Sequence, residues 1–536
     1  MNDVMTADLS VEEQRREAIA AKIAHIDDLH QQSVHAGGEK YMVRHHERGK
    51  LWARERIELL IDEGSAFLEL MPLAGFGQNQ SLGGGVVTGI GVVEGVECMI
   101  IASDPTVKGG TLTAIGLKKG FRASQIAQEN FLPVINLVES GGADLPHQKD
   151  IFIPGGQAFR NITNASANRQ PTIAVVFGNC TAGGAYIPGM SDYVVMVKEA
   201  AKVFLAGPPL VKMATGEVSD DETLGGAEMH SRVSGSSDYL AENENDAIRI
   251  ARRIVSRLNW KKKGFVPPPT FAEPDLDVEG LLDLIPTDLK EPFDPREAIL
   301  RIVDGTSPDN EQPYDEFKPL YGSSLSTGWA RLHGHQIGII ANVRGVLFSQ
   351  EAQKAAQFIQ LCNQKDTPIL FLVNTTGYMV GAEYEQGGII KHGAMMVNAV
   401  ANSKVPHLTI NIGGSFGAGN YGMSGRAYDP RFLFAWPNSK SSVMGSEQLA
   451  GVMEIVSREA AEKKGVPFNE EEFAGIKAFV TASIEEQAVP EFMSGMVYDD
   501  GVIDPRDTRT VLAICLSVIA NLPIKGVEGG FGVFRM

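Results

Sequence analysis

Apolar residues in this chain collect into short runs that stop at glycine. Four runs are the clearest: VINLV at 134–138, IAVVF at 173–177, ILFLV at 369–373 and LTINI at 408–412. Each is rich in β-branched residues and bounded by proline or glycine, which predicts strands buried on both faces of an α/β layer. Periodic stretches lie between them, and the spacing predicts helices over Gly116–Glu129 and Gly387–Asn402.

The runs form two pairs at one offset. Pro133–Gly142 (PVINLVESGG) realigns with Pro368–Gly377 (PILFLVNTTG), and Pro171–Tyr186 (PTIAVVFGNCTAGGAY) with Pro406–Tyr421 (PHLTINIGGSFGAGNY), both 235 residues apart (368 − 133 and 406 − 171). A third pair, AGPP at Ala206–Pro209 and AWPN at Ala435–Asn438, follows at 229 (435 − 206). The pattern predicts a duplicated domain whose copies carry related sites.

Each copy ends its strand in small residues, Thr181-Ala182-Gly183-Gly184 and Phe416-Gly417-Ala418-Gly419, where a helix is expected to begin. With no side chains in the way, amides at a helix start point outward, and the helix dipole favours an anion there. One reading is an oxyanion hole in each copy; the other is a pair of tight turns with close helix packing. Repetition at matched positions favours the first.

Three regions lie outside the repeat. The first ~60 residues are charge-rich with helical period, which Arg54–Ile61 continues, and read as a solvated arm or an oligomer contact. Lys261–Asp294 concentrates proline and acidic residues and reads as the linker between the copies. From about Val466 helical patterns return, and the chain ends in GGFGVFRM.

Composition narrows the class. A chain of 536 residues with 43% hydrophobic content can build more than one core, and two domains fit the repeat better than length alone suggests. Its 58 glycines fit many close backbone approaches. Cys98, Cys180, Cys362 and Cys515 are far apart and sit in apolar runs, which excludes a zinc ribbon, argues against disulfides and points to a reducing cytoplasm. Cys180 and its counterpart Ser415 have no base near them in sequence and read as small packing residues. A net charge of −18 argues against nucleic acid. No apolar stretch approaches membrane-spanning length, and the polar start is not a signal peptide, so an unexported protein off the membrane is expected.

These residues bring the chain to a known family. SDPTVKGGT (Ser103–Thr111), LVESGGADLP (Leu137–Pro146), CTAGGAYIPGMSD (Cys180–Asp192), FLAGPPLVKMATGE (Phe204–Glu217), LGGAEMH (Leu224–His230), GGIIKHGA (Gly387–Ala394), GGSFGAGNYGMSGRAYDPRF (Gly413–Phe432) and the terminal FGVFRM carry the likeness. Over essentially its whole length the chain resembles the carboxyltransferase β subunit of biotin-dependent acyl-CoA carboxylases. GSFGAGNYGM and FLAGPPLVK are similar to the methylcrotonyl-CoA and geranyl-CoA carboxylase branch. Departures fall at Met395, where the family commonly has a lysine, and at 156–168 and 187–189, which border the first turn.

The resemblance implies an α/β fold of two duplicated crotonase-like domains (ClpP/crotonase β-β-α superhelix): 1–265 on the acyl-CoA side, a linker at 266–294, and 295–536 on the biotin side. It implies a site between the first domain of one subunit and the second of another. Two anions arise in carboxyl transfer, a thioester enolate and a biotin ureido oxygen, and two holes would serve them. Amides around Gly183 and Gly184 would hold the first, those around Ala418 and Gly419 the second. Proton removal would fall to biotin itself, in keeping with the lack of a Ser/His/Asp or paired-carboxylate signature.

By the same resemblance Gly141, Gly142, Ala143, Ala182 and Tyr186 would line the acyl-CoA side; the basic cluster Lys118, Lys119 and Arg122 on a predicted helix reads either as a contact for CoA phosphates or as a solvated face. Gly377, Tyr378, Gly387, Gly388, Phe416, Gly417 and Asn420 would receive biotin, while His392 reads as a packing or capping residue. No lysine flanked by methionines and no P-loop is present, so biotin and its ATP-driven carboxylation are expected on a partner biotin carboxylase/carrier α subunit, with no metal. A homo-oligomer is expected, a hexamer within an α6β6 complex. The alternatives are a biotin-dependent decarboxylase subunit, a propionyl- or long-chain acyl-CoA carboxylase β subunit, a non-catalytic scaffold and an enoyl-CoA hydratase.

Overall fold

The computed structural model describes residues 10–286, 288–291 and 293–533; the start of the chain and the final Phe534-Arg535-Met536 of the terminal motif lie outside them. In the first half an antiparallel set, β1 (Phe67–Leu70), β2 (Val86–Val93) and β3 (Val96–Ser103), leads into parallel strands β4 (Val134–Ser140), β5 (Thr172–Thr181), β6 (Tyr193–Val197), β7 (Lys202–Phe204) and β8 (Tyr239–Ala241). The second half repeats this plan with β9 (Tyr314–Glu316), β10 (Leu325–Leu332) and β11 (His335–Asn342), then β12 (Val346–Leu347), β13 (Ile369–Thr375), β14 (Gly377–Tyr378), β15 (His407–Phe416), β16 (Phe432–Ala435) and β17 (Lys440–Ser442). The sheet orders are β1-β2-β3-β4-β5-β6-β8 with β7 on β5, and β16-β15-β13-β11-β10-β9 with β17 on β15.

Parallel neighbours require a crossover, and helices supply it. Ala114–Glu129 joins β3 to β4, Gln148–Ala167 joins β4 to β5, and Ser349–Gln364 and Ile389–Asn402 do the same in the second half. The four apolar runs are strands, and both expected crossover helices are present with starts shifted by two residues. The duplication also holds in register: Ser140 pairs Cys180 in one sheet and Thr375 pairs Ser415 in the other, 235 apart in each case (375 − 140 and 415 − 180).

Three expectations are corrected. AGPP and AWPN are not counterparts: AWPN lies at the end of β16, whereas AGPP follows β7, whose true partner is β17, with Val203 and Ser441 matched at 238 (441 − 203). The helix Val11–Val34 is no solvated arm. Ile19, Ile23, Ile26 and Leu29 are buried, and Arg16 donates two hydrogen bonds to Asp283 at 2.7 Å. Nor is Lys261–Asp294 a bare linker, because Leu281, Leu282, Ile285 and Phe293 belong to the core joining the halves, together with Trp436 and Leu516. Four of the five residues 281–285 are apolar, and Leu281, Leu282 and Ile285 match one face of a helical turn, a signal masked by the surrounding prolines.

Residues 495–502 then stitch the sheets. Gly75 donates its amide to Gly495 O at 2.9 Å, Met71 to Asp500 O at 2.8 Å, and Ala435 pairs Val502. No helix among the described residues is long and apolar enough to cross a membrane.

Candidate active site

Each half places two turns side by side. In the first, β4 breaks register between Val138 and Ser140 and ends in Gly141-Gly142; β5 runs on into Ala182-Gly183-Gly184. In the second, β13 breaks register between Val373 and Thr375 before Gly377, and β15 runs into Gly417-Ala418-Gly419. Gly142 has φ 95° and Gly377 φ 120°, values that favour glycine. Each of these glycines donates its amide to a hydroxyl two residues earlier: Gly142 N–H to Ser140 Oγ at 3.2 Å, Gly377 N–H to Thr375 Oγ1 at 3.1 Å.

Ala182 and Gly417 both have φ 53°. That left-handed step swings the chain from strand into a short helix, Ala182–Ala185 in one half and Gly417–Gly422 in the other. The opening amides of such helices have no acceptor within the helix. Gly183 and Ala418 are exposed, Gly184 is half-buried and Gly419 buried. A Cβ on Gly184 would lie 3.7 Å from Cys180 Sγ, an ordinary contact, but one on Gly419 would lie 3.0 Å from the Gly377 Cα. Backbone N–H groups at such a turn suit an anionic oxygen.

The rest of the expected site is divided. Gly141 and Ala143 are exposed, but the Gly141 amide donates to Gly109 O at 3.2 Å, and Leu112 donates to Gly142 O at 2.8 Å, so Gly141 and Gly142 serve the turn. Tyr186 is 41% exposed with its ring 5.4 Å from that of Phe159. Phe416 and Gly417 are half-buried beside the second turn, and Gly387 and Gly388 open the helix Ile389–Asn402, Gly388 with φ 85°. Tyr378 and Asn420 turn inward. The Tyr378 ring packs on Gly393, 3.2 Å from where its Cβ would be, and the Asn420 amide donates to Ser415 Oγ at 2.7 Å.

The basic cluster is overturned as a phosphate site. Lys119 is fully buried with Nζ 3.3 Å from Gly83 O, and desolvation pulls its pKa down to about 8. Arg122 is buried too, donating to both oxygens of Asp500 at 2.8 and 2.9 Å and to Pro430 O and Arg431 O. Lys118 is exposed but donates to Met496 O and covers the Tyr498 ring. The spacing 115, 119, 122, 126 is one helix face, so Lys119 and Arg122 sit beside Ile115 and Ile126. That face was legible in the sequence.

Burial raises the Cys180 thiol to about 12, and its sulfur donates to Gly184 O at 3.0 Å, in keeping with a packing role. Residues missed in the sequence include Ser140 and Thr375, hydroxyls at matched positions, and a charged group behind the first turn, Lys50, Arg56, Glu139 and Glu244. Cavities of about 600 Å³ at Lys318–Tyr321 and about 390 Å³ under the helix Val11–Val34 lie on other residues. The segments beside the turns instead expose large apolar side chains: Phe152 and Ile153 near the first, Val380, Ile390 and Val443 near the second.

A duplicated crotonase-like scaffold with an amide turn at the same strand end of each copy defines a carboxyltransferase of the acyl-CoA carboxylase type. The chain belongs to the carboxyl transferase domain family, whose model matches residues 44–532. It is 64% identical over 523 residues, 97% of each chain, to a probable biotin-dependent acyl-coenzyme A carboxylase beta2 subunit of Mycobacterium tuberculosis. It is 48% identical to the biotin-dependent 3-methylcrotonyl-coenzyme A carboxylase beta1 subunit of that organism, over 93% of this chain and 94% of the other. The crystal structure of the P. aeruginosa geranyl-CoA carboxylase beta subunit superposes with a TM-score of 0.88 at 43% identity over 99% of each chain.

Proposed function

We propose that this chain moves a carboxyl group from carboxybiotin, carried by a partner α subunit, onto a branched unsaturated acyl-CoA, 3-methylcrotonyl-CoA or a relative of it. The observation that carries this reading is the matched pair of turns, with φ 53° at Ala182 and at Gly417 and the same hydroxyl-capped glycine beside each. Amides at Gly183 and Gly184 hold the thioester oxygen as the enolate develops. Those at Ala418 and Gly419 hold the ureido oxygen in the same way. Biotin, when bound, supplies the carboxyl group and a nitrogen that takes the substrate proton. Ala418 is small and exposed, and the exposed Val443 beside Gly417 offers an apolar rim for the bicyclic ring and its tail.

The exposed apolar flanks favour a homo-oligomer in which the first turn of one copy faces the second turn of another, a hexamer of three such pairs with α subunits outside. Four separated, buried thiols favour the cytoplasm.

The test is reconstitution. Alone, the purified chain should carry out no ATP-dependent carboxylation. With a biotinylated α subunit, ATP and bicarbonate, 3-methylcrotonyl-CoA should turn over faster than propionyl-CoA across a panel of acyl-CoAs. Carboxylation by the lone chain would sink the proposal, and a preference for propionyl-CoA would overturn the acyl assignment.

A further inference from the structure

Behind the first turn lies a charged group with no equivalent behind the second among the described residues. Glu139, 9% exposed, is the residue just before Ser140-Gly141-Gly142, and its carboxylate accepts from Lys50 Nζ and, at 2.8 Å, from Arg56 Nη2. Arg56, 1% exposed, also donates to both oxygens of buried Glu244 at 2.8 and 2.9 Å and lies 4.3 Å over the Phe177 ring. Lys50 Nζ reaches Phe177 O at 3.2 Å, and a Cβ on Gly178 would come within 2.5 Å of the Glu139 carboxylate. Phe177 and Gly178 belong to β5, four residues before the amide turn.

Two carboxylates and two cations therefore tie the end of β4 to the middle of β5. Buried charges are retained only when paired, so each member fixes the others. The matched position in the second half is Asn374 (139 + 235), which does the same job without charge: its Oδ1 accepts from Gly414 N–H at 2.9 Å, and its backbone N–H donates to Asn342 Oδ1 at 3.0 Å. In both halves the residue one step before the hydroxyl locks the two turn-bearing strands together.

We propose that Glu139, held by Lys50 and Arg56, is a positioning residue for carboxyl transfer: it sets the spacing between the Gly141-Gly142 turn and the Ala182–Gly184 amides, and so acts on the acyl-CoA side alone. The proposal rests on the reading of Ala182–Gly184 as an oxyanion-binding turn. Displacement of a binding group by about 1 Å costs up to ~100-fold in rate.

The test uses the full-length oligomer and free carboxybiotin, comparing transfer to acyl-CoA with acyl-CoA-independent decarboxylation. Glu139→Gln should lower kcat for transfer by about 10- to 100-fold with little change in KM, leave decarboxylation within about two-fold, and be partly rescued by Glu139→Asp. Should Glu139→Gln fail to assemble, Lys50→Met, which removes one tie from a half-buried cation, is expected to show the same selective loss. A parallel fall of both activities, or no fall in either, overturns the proposal. Gly183→Val, measured alongside, separates the two ideas. Normal transfer in that variant defeats the oxyanion reading itself, whereas its loss beside a normal Glu139→Gln defeats only the positioning role.

Discussion

Ala182 and Gly417 share a backbone φ of 53°, although one carries a methyl group and the other none. The left-handed step is thus set by the strand-to-helix turn and not by the residue that fills it. Ala182 bears a strain of about 1 kcal/mol that glycine would relieve, while glycine adds ~0.5–1 kcal/mol of unfolded-chain entropy. Ala182→Gly should therefore leave the thermal midpoint within about 2 °C and keep transfer activity. Gly417→Ala should lose ~1–2 kcal/mol, because its Cβ adds the same strain and would meet Val443 O at 3.1 Å. Calorimetry on the two variants decides; equal destabilisation would show that the turns are not equivalent.

The two inner glycines of the turns should differ in kind. Gly184→Ala places its methyl in ordinary contact with Cys180 and Ser140, so the fold should hold. Gly419→Ala presses on Thr375 and the Gly377 backbone, and overpacking of this sort costs ~1–3 kcal/mol. We expect Gly184→Ala to retain stability, and Gly419→Ala to lose it along with decarboxylation of free carboxybiotin. Denaturant midpoints beside the two assays check this.

Arg122 joins the crossover helix of the first half to Asp500 of the second, and Asp500, fully buried, also accepts from Arg426 and Leu433 N–H. Removing one partner of a buried pair strands the other. Arg122→Met should cost ~3 kcal/mol of stability and lower the urea midpoint; a change below 1 kcal/mol would show the joint does not depend on it.

Beside that pair, burial pushes Asp499 up to about 7, while the Arg122 and Arg426 guanidiniums overcome the burial of Asp500 and hold it at about 2. A carboxyl raised on folding stabilises fully below the unfolded pKa near ~4, and that stability fades as pH rises toward 7. Asp500 has the opposite sign: its contribution is complete above ~4 and is lost as pH falls toward 2. Asp499→Asn should thus flatten the stability profile between about pH 4 and 7, with its largest gain over the parent above pH 7. Urea titrations at pH 4.5 and 7.5 measure it, and an unchanged slope would refute it.

Sequence alone determined the four central strands, the duplication and both glycine turns, because these depend on local order. VINLV and ILFLV are apolar on both faces, and the glycines after them mark where the chain must turn. Such signals need only near neighbours. What the helix Val11–Val34, Leu281–Ile285 and Arg122 touch was decided by the tertiary structure. Helical spacing puts Arg122 on an apolar face, but only folding brings Asp500, 378 residues away, against it, and Glu139 looks like part of a motif until Arg56 and Lys50 arrive from another segment. A buried charge is defined by its partner, and chain order carries no record of a partner hundreds of residues distant.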